Sequence, residues 1–230
     1  MVTPMRTGTT MITGMAMGTM TMRIITMPTM IIITIMTMIM RTAAADTTII
    51  MATSTATEAE SLARLLVWFS PAFPIGAFSF SHGLEWAVEA GDIKDRESLR
   101  LWLEGLVRQG SGWSDAVVFS ACHAAARDGS LPRLRAAAEF AVALQPTKER
   151  RLEATMQGDA FVKAVETAWE NRGLALLRAA CDPPYALAAA AGAAAGGAGF
   201  QRETALRAFL TGFCQNLVSA AVRLAPIGQS

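Results

Sequence analysis

Residues 96–107 read RESLRLWLEGLV. Leu99, Trp102, Leu103 and Leu106 recur at three- and four-residue spacing, which puts them on one face of an α-helix and the charged residues on the other. Asp95, just before, can cap the first turn. The same period continues outward in both directions. On the N-terminal side, residues 61–69 (SLARLLVWF) form an apolar helix that stops before Pro71. On the C-terminal side, a helix over 113–126 ends at the Asp128-Gly129 turn, and another covers 131–144. A long one over 147–172 opens at Thr147. After Pro183-Pro184 come a helical stretch over 185–200 and a last helix over 203–222. No alternating run of β-branched residues competes after Met51. The pattern predicts an all-α fold, a single helical domain of about seven to eight helices.

Residues 186–199 (ALAAAAGAAAGGAG) look like low complexity. Small side chains at helical spacing let two helices approach closely, so this stretch is read as core rather than linker. Gly196-Gly197 weakens the helix by roughly 1 kcal/mol per Gly, and a bend is expected there.

The first fifty residues follow other rules. Thirteen of the fourteen Met lie at or before Met51, no Asp, Glu or Lys precedes Asp46, and residues 20–40 use five residue types. Three readings compete. The seventeen uncharged residues between Arg23 and Arg41 come close to the roughly 20 that cross a bilayer, but recurrent Thr and Pro28 argue against a membrane anchor. A targeting peptide lacks its Ser-rich or compact apolar block. The third reading explains the alphabet: His codons mixed with Asp and Ala codons, read one base late, yield Met, Ile, Thr, Arg and Pro. Residues 1–50 are thus expected to be an out-of-frame segment without fixed structure, and 51–230 the folded domain.

From Ala52 onward, 17 basic residues face 18 acidic ones. That balance supplies no basic patch to neutralise phosphates, which argues against nucleic acid as a partner. Cys122, Cys181 and Cys214 are far apart and form no C-x-x-C pair; they fit small core residues of a reducing cytoplasm. The two histidines are His82 and His123. Cys122 beside His123 does not make a metal pair, since adjacent helical residues point about 100° apart. A nucleotide loop is missing, and the three lysines are Lys94, Lys148 and Lys163. Ser79, His82 and Glu85 lie close enough in sequence to suggest a small helical hydrolase, but G-x-S-x-G is absent.

Residues 70–90 (SPAFPIGAFSFSHGLEWAVEA) depart from ordinary core. Two prolines and a Gly are followed by Phe residues on an apparent loop, then a short helix carrying Glu85. An apolar loop of this length needs cover from its own domain or from a partner, which marks it as a binding surface.

Here the residues resemble a known family. Ser70-Pro71-x-x-Pro74-x-Gly76-x-x-Ser79-x-Ser81-x-Gly83-Leu84-Glu85, followed by Trp86-Ala87-Val88-Glu89-Ala90-Gly91, is similar to the signature of the urease accessory protein UreF family. So is Val218-Ser219-Ala220-Ala221-Val222-Arg223-Leu224-x-Pro226-x-Gly228-Gln229 near the end. Thr147-Lys148-Glu149-Arg150 and Gly158-x-Ala160-Phe161 sit where that family has further elements.

The resemblance implies an all-helical, dimeric, non-enzymatic protein without cofactor. It would bridge UreH (also called UreD) and the GTPase UreG in a complex that delivers nickel to apo-urease, regulating GTP hydrolysis or nickel release. The partner-binding residues implied are Pro74, Gly76, Phe78, Ser79, Glu85, Arg223, Gly228 and Gln229. The family usually continues past the last motif, so the chain is expected to be truncated at its C-terminus. In many urease operons the gene upstream encodes the nickel chaperone UreE with a His-rich tail, which agrees with the out-of-frame reading.

Overall fold

Capping residues set where the helices begin. In the computed structural model, which describes residues 58–77 and 80–224, Asp95 accepts from the Ser98 amide at 2.8 Å while Ser98 Oγ accepts from the Asp95 amide at 3.1 Å. This closed capping box starts one helix. Thr147 Oγ1 accepts from the Arg150 amide at 3.2 Å and starts another. The elements in chain order are α1 (Glu58–Trp68), α2 (Leu84–Glu89), α3 (Arg96–Arg108), α4 (Ser111–Asp128), α5 (Leu131–Ala143), α6 (Lys148–Ala168), α7 (Arg172–Ala180), α8 (Leu187–Gly197) and α9 (Arg202–Leu224). No strand occurs among the described residues. The expectations for residues 1–50 lie outside the described residues.

One expected helix is two. Instead of running to Arg172, α6 ends at Ala168, Trp169 after it has extended backbone, and Asn171 restarts the helix by accepting from the Leu174 amide at 3.0 Å. The same side chain donates to the Ala194 carbonyl at 3.1 Å. Asn171 therefore both opens α7 and ties it to α8.

The Ala/Gly stretch is the centre of the fold. Every residue from Ala188 to Gly196 is buried in α8, as the core reading expected. A Cβ on Gly192 would lie 2.3 Å from the Phe119 carbonyl oxygen, and one on Gly196 2.2 Å from that of His123. Bare glycines thus let α8 lie directly on α4. The expected bend at Gly196-Gly197 is a helix end instead: α8 stops at Gly197 and the chain turns at Gly199, φ 77°.

Around α8, Trp68, Phe119, Phe161, Phe200 and Phe209 fill the main core, with Trp68 meeting Phe161 edge-on at 5.9 Å. Cys122 belongs to this core, whereas Cys181 and Cys214 are half-buried. Among the described residues α9 is the one helix long and apolar enough to cross a membrane. Here it contributes Ala205, Phe209, Leu217, Ala220 and Ala221 to the interior.

A second, smaller cluster matters for the site. Leu84 and Ala87 of α2, Ile93, and Leu99 of α3 pack with Ala220 and Ala221 near the end of α9.

Candidate functional site

The two distant motifs, 70–91 and 218–229, meet through that second cluster. Leu84 and Ala87 turn inward against Ala220 and Ala221, and helical spacing then turns their neighbours outward. Glu85 and Trp86 are exposed, Trp86 at 65%, and Arg223 is exposed in the last turn of α9. Both motifs therefore contribute to one buried cluster, and each also carries exposed residues.

Beside it, the segment after α1 curls on its own backbone, with Phe73 bonded to Ser70 and Ile75 to Phe73. Phe73 packs on Phe161, ring centres 5.6 Å apart. Pro74 and Gly76 are exposed; Gly76 has φ 73°, a left-handed geometry that favours glycine. Phe78, Ser79, Gly228 and Gln229 lie outside the described residues.

His82, placed by sequence in a group with Ser79 and Glu85, sits apart from exposed Glu85 and contacts other helices. Its backbone has φ 52° and the next residue, Gly83, φ 79°, a sharp corner that turns the chain into α2 and sinks the imidazole between three helices. Nδ1 lies 3.2 Å from Ser111 Oγ of α4, and Nε2 lies 3.2 Å from Glu153 Oε1 of α6. Arg150 Nη1 stands 3.3 Å from Nε2 and also bonds Glu153 Oε2. Phe213 of α9 closes the ring edge-on at 5.0 Å.

Nε2 cannot both donate to Glu153 and accept from Arg150, so the Arg150 guanidinium is matched by the carboxylate rather than by the ring. Nε2–H donates to Glu153, Nδ1 and the Ser111 hydroxyl share a hydrogen bond, and Arg150 and Gln157 donate to the same carboxylate, Gln157 at 3.2 Å. Glu85, the carboxylate expected near His82, is instead exposed on α2.

Electrostatics follow burial. Burial pushes the Glu153 carboxyl upward, but the His82 hydrogen bond and the charges of His82 and Arg150 outweigh it, and the group is held below the usual carboxylate range. Asp115 of α4 faces the same cluster; burial pushes it up to about 6, against the pull of Arg150 and His82. A cleft of about 70 Å³ lies among these groups, bordered by Trp68, Phe69 and Phe80. The Trp68 indole N–H is buried there without an acceptor among the described residues.

His123 serves differently: it is buried and donates from Nε2 to the Phe200 carbonyl at 2.9 Å, a core contact. Among the described residues no cluster of three or more His, Cys, Asp or Glu could hold a metal ion.

Sequence reasoning missed Ser111, Asp115, Glu153 and Gln157. The available signal was the buried polar run Glu153, Thr155, Gln157 within α6, but on a helix read from sequence such residues pass for a solvated face.

A family model described as UreF matches residues 93–230. The urease accessory protein UreF of Rhodopseudomonas palustris strain BisA53 is 45% identical over 172 residues, 75% of this chain and 72% of that protein. The namesake protein of Methylobacterium radiotolerans is 44% identical over 173 residues, covering 75% and 76%. That of Xanthobacter autotrophicus is 49% identical over 170 residues, covering 74% and 70%.

Proposed function

The chain belongs to the UreF family of urease accessory proteins, and from that premise we propose that it bridges UreH (also called UreD) and the GTPase UreG in the complex that delivers nickel to apo-urease. It is an accessory protein in urease maturation and not an enzyme. In this reading it docks its partners through the segment after α1, α2 and the end of α9, regulates GTP hydrolysis or nickel release by UreG, pairs with a second copy, and works in the cytoplasm.

The observation that carries the reading is the meeting of the two motifs: Leu84 and Ala87 pack in one cluster with Ala220 and Ala221, and exposed Glu85, Trp86 and Arg223 belong to the elements so joined. An exposed Trp beside charged residues is the composition of an interface anchor. Residues 1–50 belong to the reading only as an out-of-frame segment ahead of Met51, with no part in docking.

Size-exclusion chromatography of the purified chain with UreH and then UreG tests the bridge. Co-elution of all three is expected. Separate elution at micromolar concentrations would overturn it.

A further inference from the structure

A six-residue helix has no independent stability, and α2 offers the fold only Leu84 and Ala87 as fully buried apolar side chains. Both belong to the small apolar cluster with Ile93, Leu99 of α3 and the alanines of α9. Apolar contacts of this kind are non-directional, so a polar contact beside them can set the orientation of α2. The corner at His82 and Gly83 precedes it directly, and the His82 ring reaches Ser111 of α4 and the Arg150–Glu153 pair of α6. Backbone hydrogen bonds around the corner are local, Leu84 to Ser81 and Ala87 to Gly83. The imidazole is a polar attachment of this region to the helical body.

We infer that His82 is a positioning residue: clamped by Ser111 and the Arg150–Glu153 pair, its ring sets the orientation of α2 and so of exposed Glu85 and Trp86. Facing the ring are Ser111 and Asp115 from α4, Arg150 and Glu153 from α6, and Phe213 from α9. Two carboxylates and one guanidinium thus hold one imidazole. The positioning role rests on the docking reading above, because α2 matters only if its outer face is used.

The test is amide hydrogen exchange on the full chain, alone in solution, comparing wild type with His82→Asn and Ser111→Ala. Asparagine tolerates the left-handed backbone at this corner but cannot reach Glu153, and Ser111→Ala removes the weaker contact alone. Loss of a buried hydrogen bond to a charged group should raise exchange over residues 84–93 by about tenfold or more in His82→Asn, and by less in Ser111→Ala. Amides of α4, α6 and α8 should stay at wild-type rates, and His82→Gln, if its amide regains Glu153, should restore protection in part.

Unchanged exchange over 84–93, or a rise spread evenly over all helices in both variants, would overturn the inference. Because no partner is present, this result is separate from the docking reading, which fails instead if Glu85→Ala and Arg223→Ala leave assembly untouched.

Discussion

Nε2 of His82 lies 3.2 Å from Oε1 of Glu153, so the corner that leads into α2 and the second turn of α6 share one hydrogen bond. Arg150 and Gln157 converge on the same carboxylate. Removing it would leave several donors without an acceptor. Glu153→Ala should therefore destabilise the chain by roughly 3 kcal/mol in urea denaturation monitored by circular dichroism. A loss below 1 kcal/mol would mean that water replaces the carboxylate freely.

The same group has a pH signature. Its folded pKa is depressed, so its contribution is present above the unfolded value near 4.5 and is lost as pH falls through the lower folded value. Glu153→Gln should remove that acid-side loss, visible as a flatter stability profile below about pH 4.5.

Asp115 works in the opposite sense. Its folded pKa is raised to about 6 from 3.8, so the folded state binds the proton more tightly, and this group costs stability progressively as pH rises from 3.8 through 6. Asp115→Asn should be more stable than wild type at pH 7.5, by up to about 3 kcal/mol, and equal to it near pH 4. Melting temperatures at the two pH values check this; a variant less stable at both would show that the carboxylate is held by net attraction.

Two glycines test the packing of the helices. A Cβ on Gly158 would lie 1.9 Å from the Tyr185 carbonyl oxygen, whereas one on exposed Gly105 of α3 meets nothing within 4 Å. Gly158→Ala should cost about 3 kcal/mol, and Gly105→Ala should add roughly 0.5–1 kcal/mol through helix propensity. Denaturation midpoints of the two variants should move in opposite directions.

Much of this was legible in sequence because the signals are local. The Asp95 cap, the Thr147 cap and the Gly129 stop each involve residues within one turn, and the small-residue character of 186–199 announces close packing without any knowledge of the partner helix. The restart at Asn171 was missed because apolar periodicity runs on across Trp169, and what breaks the helix is the docking of α7 on α8. The His82 cluster was missed for a different reason. Its members come from four separate stretches of chain, and Asp115 and Glu153 on their helices look like any solvated carboxylate until the fold buries them. Arg150 stands in sequence as part of the Thr147-Lys148-Glu149-Arg150 motif, with no sign of its partners. The proposed docking face was half legible: both motifs stand in the sequence, but that Leu84 and Ala221 belong to one cluster does not.

That face carries the central claim, and titration calorimetry of the chain into a UreH–UreG mixture measures it most directly. With wild type, binding is expected; with Arg223→Ala, at the exposed end of α9, binding should weaken by about 2 kcal/mol, roughly thirtyfold in Kd, with the circular dichroism spectrum unchanged. Wild-type affinity in Arg223→Ala and in Glu85→Ala alike would contradict the account.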